Sequence, residues 1–213
     1  AEIDALAQAK AQGKLQKILV NGCMAQWWKD EIQARCPQAD GFVGVSGYED
    51  IAQVIAQALE DQHPAHFGDI DAPVPETDRV VCTSDYWAWL RIAEGCDNRC
   101  AYCIIPFIRG KLRGRPEEAI LAQAGMQELI VVAQDITRYG LDLYGERTLA
   151  KLLPKLCAIE GIHWVRLHYL YPDEITDELI DVIANEPKIV KYLDIPIQHI
   201  SDHLLKYMHR RGT

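Results

Sequence analysis

A chain of 213 residues has room for one large domain or two small ones. Hydrophobic residues make up 49% and charged residues 25%, enough for a real core, and no apolar run approaches the roughly 18 residues of a membrane span. The formal net charge of −9 gives no general attraction to a phosphate backbone, so broad nucleic-acid binding is not expected; a basic protein partner suits it better. Nothing at the start reads as an export leader, and a cytoplasmic location without membrane attachment is the expectation.

Taken in chain order, residues 2–12 read as a helix closed by Gly13, and 17–20 as a strand ending in the turn Asn21-Gly22-Cys23. A helical pattern over 26–35, a strand over 42–45 and a helix over 48–59 follow. Such alternation suggests a parallel sheet with crossover connections. From His63 the character changes: Pro64, Pro73 and Pro75 stand among acidic and small residues without periodicity, which reads as a linker. This predicts an N-terminal domain over 1–62, a linker over 63–85 and a second domain over 86–213.

The second domain resumes the alternation. Strands are predicted over 88–93, 128–133, 163–169 and 191–195, with helices over 116–124, 148–159 and 176–185 and another starting at Asp202. Pro116 suits a first helical turn, where its missing amide proton costs nothing. Thr176 is a plausible cap, followed by the apolar pair Leu179 and Ile180. Four βα units are fewer than a closed barrel needs, so the expectation is a partial (βα) barrel of α/β class.

Seven cysteines do not suit a disulfide scaffold. Cys96, Cys100 and Cys103 crowd into a C-x3-C-x2-C string directly after the first strand of the second domain, where βα architectures place their chemistry. A closed zinc site takes four ligands, and electron-transfer clusters usually take four cysteines. Three thiolates on a four-iron cluster leave one iron open for the amine and carboxylate of S-adenosylmethionine (SAM). Reduction then releases a 5′-deoxyadenosyl radical, chemistry that the cofactor supplies and the protein positions. The alternative is a non-catalytic iron–sulfur module, or a zinc loop completed by Cys82 or a distant histidine. Tyr102 is placed either to flank the adenine or to pack in the core.

The string from Ile92 to Cys103, running on to Ile105-Pro106 and Arg109-Gly110, resembles the radical SAM methylthiotransferases. It is most similar to the RimO type, which modifies an aspartate of a small-subunit ribosomal protein. The stretches 133–140, 170–174, 193–199 and 210–213 support that branch. The resemblance implies a radical SAM core of TIM-like barrel type, preceded by part of a small α/β methylthiotransferase domain.

The resemblance also implies two 4Fe-4S clusters, one on Cys96, Cys100 and Cys103, the other using Cys23 with partners that this chain lacks. Read without it, Cys23 is a cysteine after a strand, more often buried than ligating. Cys36, Cys82 and Cys157 match no ligand and are expected to pack. Gln134 and Asp135 follow the second strand, where the superfamily binds the methionine amine. Arg166 would meet the cofactor carboxylate or ribose, or else form a strand salt bridge; Gln198 and His199 end the fourth strand at the barrel mouth.

Arg99, Arg109, Lys111, Arg113 and Arg115 form a basic stripe, read as a solvated loop or as a contact for an acidic segment. Measured against the family, the N-terminal domain is truncated and the helix after Pro116 is about two turns short. The last barrel strands and a small C-terminal β domain are missing too. The activity implied is methylthio insertion at the β-carbon of an aspartate, with an external reductant supplying electrons. The related tRNA methylthiotransferases are the alternative.

Overall fold

The computed structural model describes residues 2–77, 80–82 and 84–211. Gly212 and Thr213, the end of the family-like terminal string, lie outside the described residues. So do Asp78, Arg79 and Thr83 of the expected linker. The chain divides into two units, one formed by residues 1–72 with 107–110, the other by 73–106 with 111–213.

The first unit opens with helix α1 (Glu2–Ala11) and continues through β1 (Leu19–Asn21), α2 (Cys23–Trp27), α3 (Ile32–Arg35), β2 (Gly41–Val43), α4 (Ile51–Leu59) and β3 (Ala65–His66). Its three strands lie parallel in the order β1-β2-β3. Two expectations are corrected here. The helix predicted over 26–35 starts earlier, at Cys23, and is interrupted between Trp27 and Ile32, where Trp28 packs on the core beside the buried Ala25, Gln26 and Ile32. The linker predicted from His63 begins with structured chain: the Pro64 carbonyl accepts from Phe42 N–H at 2.8 Å and the His66 carbonyl from Gly44 N–H at 2.9 Å. Backbone pairing with a buried neighbour strand needs no side-chain periodicity, so a two-residue edge strand leaves no signal in the pattern.

Asp40 anchors this unit. Its buried carboxylate accepts from the Ile18 backbone at 2.7 Å and from Lys10 at 2.5 Å. Burial alone would raise its pKa, but these bonds and the charges of Lys10 and Lys17 outweigh it and hold the carboxyl below its usual range.

The second unit contains β4 (Trp87–Arg91), β5 (Ala93–Glu94), α5 (Ile105–Arg109, whose last part belongs to the first unit), β6 (Arg113–Gly114), α6 (Glu117–Gln123), β7 (Glu128–Val132), α7 (Leu141–Tyr144), α8 (Leu149–Cys157), β8 (Trp164–Leu167), α9 (Asp177–Asn185), β9 (Ile189–Leu193) and α10 (Asp202–Tyr207). Strands β4, β7, β8 and β9 form a parallel sheet in that order, each pairing with the next in sequence across a helical connection. The sheet is an open part of a barrel, as expected. Short β5 and β6 pair antiparallel beside it.

Alternation sorts the sheet's two faces. Ala88, Leu90, Leu129, Val131, Val165, Leu167 and Ile189 are buried and join the core with Ile120 of α6 and Leu179 of α9. Helix α8 contributes most: Leu149, Leu152, Leu153 and Leu156, at i, i+3, i+4 and i+7, are each no more than 1% exposed. Pro154 inside it removes one helical bond at a cost of about 3 kcal/mol. Four buried leucines at about 2 kcal/mol each outweigh that. The opposite face carries Trp89, Ile130, Trp164, Arg166 and His168, with the Trp89 and His168 rings 5.7 Å apart.

Among the described residues no helix is long and apolar enough to cross a membrane.

Candidate iron–sulfur and cofactor site

Parallel strands end on one edge, and there the connecting loops are laced together. The Ile136 N–H donates to the Tyr169 carbonyl at 3.1 Å, joining the loops after β7 and β8. The Leu170 N–H donates to the Asp194 carbonyl at 3.0 Å, joining those after β8 and β9. The cysteine loop, residues 95–103, leaves β5 at the same edge. Its turn is closed by Cys103 N–H to the Cys100 carbonyl at 2.9 Å.

Cys96, Cys100 and Cys103 are all half-buried and free. Burial pushes the Cys96 thiol up, and the negative charges of Asp135, Cys100 and Cys103 push it the same way, against one backbone N–H from Asn98. The three sulfurs are thus within electrostatic reach of each other, and the setting of Cys96 disfavours its thiolate unless a cation is present to reverse the balance.

Among the described residues no three His, Cys, Asp or Glu side chains converge closely enough to hold a single metal ion. Cys82, the fourth ligand of the zinc alternative, is exposed and faces its own segment's Val80 carbonyl at 3.8 Å. That also corrects its expected packing role, since the segment lies outside the two cores. Cys36 and Cys157 are buried as expected. Three thiols on one loop, with an adjacent cation described below, suit a cluster of several irons, which is wider than one ion and takes cysteine donors.

Asn98, in the middle of the loop, donates from its amide to Asp135 at 2.7 Å and accepts from Arg138 at 2.9 Å. Asp135 is buried, accepts from Thr137 N–H at 3.0 Å and also bonds the Thr137 hydroxyl. Its carboxylate is therefore occupied in tethering the cysteine loop and capping the turn over 136–138. A direct cofactor contact, expected from sequence, would have to break that tether. Gln134 beside it differs: its Oε1 is buried and accepts no hydrogen bond. A buried acceptor left unmade costs about 1–3 kcal/mol, so it fits an N–H donor such as an amino group.

Arg166 lies mid-strand and pairs with Glu128 at the start of β7, at 2.9 Å through Nε and 2.8 Å through Nη2. This is the strand salt bridge, and its direction is away from the cysteine edge. Gln198 is exposed with φ 69°, and the ring of His199 accepts from Ser201 N–H at 2.9 Å. Tyr102 is 55% exposed, so the core reading of it does not hold. The basic stripe is not a solvated loop throughout: Arg115 is 3% exposed, bonded to Glu76 and to the Arg91 carbonyl. In the first unit Cys23 is half-buried, and its sulfur accepts from Arg109 at 3.3 Å.

Asn98, Tyr171 and Arg210 were not singled out by sequence reasoning. The first is an ordinary loop residue between two cysteines, and the other two lie at 71 and 110 positions from Cys100. Only the quoted strings around them carried any signal.

The model of the radical SAM superfamily matches residues 90–213. The chain belongs to that superfamily. Membership implies a 4Fe-4S cluster and SAM as cofactors. Curated relatives narrow the likeness. A "Ribosomal protein uS12 methylthiotransferase RimO" of Lachnoclostridium phytofermentans is 48% identical over 97% of this chain and 48% of its own length. One of the same name from Acetivibrio thermocellus is 48% identical over 93% and 47%, and one from Pelobacter propionicus 46% over 98% and 48%. The chain spans about half the length of the curated relatives it matches. Among solved structures, a radical SAM methyltransferase of Kitasatospora setae covers 56% of this chain and 24% of its own, with a TM-score of 0.45 and 16% identity, too distant a likeness to decide anything.

Proposed function

We propose that this radical SAM chain is the central part of a methylthiotransferase that adds a methylthio group to the β-carbon of an aspartate in ribosomal protein uS12. The observation that carries this reading is the 48% identity, over 97% of the chain, to a relative of that name. Residues 1–62 together with strand β3 would be part of the N-terminal methylthiotransferase domain, the chain from there to residue 85 the linker and 86–213 the radical SAM core.

In this reading Cys96, Cys100 and Cys103 hold a cluster that, when loaded, supplies the one-electron cleavage of SAM. The residues around it orient and enclose. Asn98 and Asp135 fix the loop on which the thiolates stand. Gln134, with its unmatched carbonyl oxygen, takes the cofactor's amino group. Tyr102, beside Cys103 and half-exposed, would cover the adenine. Gln198 borders the same mouth. Cys23 would join a second cluster with ligands from outside this chain, and an external one-electron donor would complete the system.

The test is anaerobic reconstitution, reduction, addition of SAM and quantification of 5′-deoxyadenosine by mass spectrometry, with a Cys96→Ala, Cys100→Ala, Cys103→Ala variant as control. Product from the parent and none from the variant is expected. Bound zinc without product would end the reading. In the full-length protein, a methylthio mass increase on uS12 and none on tRNA is expected; the reverse would move the substrate assignment to tRNA.

A further inference from the structure

Helix α10 stops in a Schellman turn. His209 takes the left-handed conformation, φ 54°, its N–H donating to the Lys206 carbonyl at 3.1 Å, while Arg210 N–H donates to the Leu205 carbonyl at 2.8 Å. Glycine usually fills this position, because a Cβ there costs about 1 kcal/mol or more. The turn is held by what it aims at the cysteine loop. The Met208 carbonyl, left free by the helix ending, accepts from Ala101 N–H at 3.0 Å, between Cys100 and Cys103. Arg210 turns inward and is 8% exposed.

The buried guanidinium has three partners. Its Nη2 donates to the Pro196 carbonyl at 2.8 Å, its central carbon lies 3.7 Å from the Tyr171 ring centroid, and its Nη1 faces Cys100 Sγ at 3.8 Å. Tyr171 is itself buried and brings its hydroxyl to 4.0 Å from the same sulfur. Among the described residues no carboxylate lies within ion-pair distance of Arg210; Glu174 pairs with Arg147 and Arg211 instead. A buried cation without a carboxylate is costly unless another anion faces it. The group it faces here is the sulfur of Cys100, where a cluster held by this loop would carry negative charge.

We infer that Arg210, stacked on Tyr171, is a positioning residue for Cys100 that holds its sulfur and favours the reduced state of a cluster bound there. The inference rests on the proposed assignment of Cys100 as a cluster ligand. Reduction adds one electron from an external donor to the cluster, with no bond formed or broken, and so increases the negative charge carried by the irons and their sulfurs. A fixed cation in hydrogen-bonding range stabilises that added charge, and hydrogen bonds to ligand sulfurs are among the determinants of cluster potential. The planar fork matters as well as the charge, because stacking and the bond to Pro196 together fix where Nη1 points.

The test is a redox titration of the anaerobically reconstituted 213-residue chain with dithionite, followed by electron paramagnetic resonance of the reduced cluster, with iron counted per chain. The parent is compared with Arg210→Gln, Arg210→Lys and the exposed control Arg211→Gln. At the parent's midpoint potential, Arg210→Gln is expected to lower the reduced-to-oxidised ratio about tenfold, a shift of about 59 mV for a one-electron couple. Arg210→Lys, which keeps the charge without the fork, is expected to lower it about threefold, and Arg211→Gln to leave it unchanged. A full iron load with the parent's midpoint in Arg210→Gln would overturn the inference. If Arg210→Gln fails to load, Arg210→Lys decides: a lowered midpoint supports it and an unchanged one overturns it. A Cys100→Ala variant that loads as well as the parent would instead bring down the ligand assignment, and the inference with it.

Discussion

Asn98 and Asp135 are joined by a 2.7 Å hydrogen bond that ties the middle of the cysteine loop to the end of β7. The acceptor is a buried carboxylate, and a bond to a charged group is worth about 1.5–3 kcal/mol. Asn98 also receives Arg138, so its removal unsettles both partners. Asn98→Ala is expected to lower the unfolding free energy by about 2 kcal/mol in urea titrations and to reduce the iron retained after reconstitution. A variant within about 0.5 kcal/mol of the parent, with full iron, would show the tether to be idle.

Asp135 also gives the fold a pH dependence. Burial holds its carboxyl above the usual aspartate range, against the bonds from Thr137 and Asn98 that pull it down. The folded state therefore binds this proton more tightly than the unfolded state. The contribution is fully present below the ordinary value of about 3.9 and is lost as pH rises through the raised folded value. Asp135→Asn removes the titration. The stability of the parent relative to that variant should decline as pH is raised from about 4, in urea unfolding of the metal-free chains. A difference that is flat or grows with pH contradicts the sign.

How much of this was legible in the sequence follows from which forces act locally. The four parallel strands and the helices between them were readable because burial on one face writes a period into the residues, as in Leu149, Leu152, Leu153 and Leu156. The cysteine spacing is local too, and it carried the family. Strand β3 and the pair β5–β6 were not readable, since two-residue strands are fixed by backbone bonds to partners that the sequence does not name. The choice between the two readings of Arg166 was likewise set by Glu128, 38 positions away. Arg210 reaches Cys100 only because a left-handed histidine turns it inward, and no spacing rule reports that.

Gly140 closes the string 133–140, and its backbone shows why a glycine is there. It has φ 94°, and a Cβ would meet the Glu146 carbonyl at 2.8 Å and collide with the Thr148 hydroxyl. The left-handed conformation costs a side chain about 1–2 kcal/mol, and forced overpacking a further 1–3. Gly145, five residues on, has φ 75° but open space around its Cβ position. Gly140→Ala is thus expected to lose about 3 kcal/mol in urea unfolding and Gly145→Ala about 1. Equal losses would mean that the backbone conformation, and not the contact with residues 146 and 148, sets the cost.

Cys157 and Cys82 separate burial from reactivity. Cys157 is 3% exposed at the end of α8, and its thiol is pushed up to about 11 by burial, with Glu186 adding to the shift and Lys188 and Lys191 opposing it. Cys82 is exposed. Alkylation proceeds through the thiolate, so at pH 8 a thiol of that pKa reacts about two hundredfold more slowly than one with the ordinary value of about 8.5, before access is considered. A short iodoacetamide pulse on the folded chain, read by peptide mass spectrometry, should label Cys82 at least a hundredfold faster than Cys157. The difference should vanish in urea, where burial is gone. Labelling of the two within tenfold of each other under native conditions would mean that α8 opens far more readily than its four buried leucines allow, and would place the end of this helix outside the stable core.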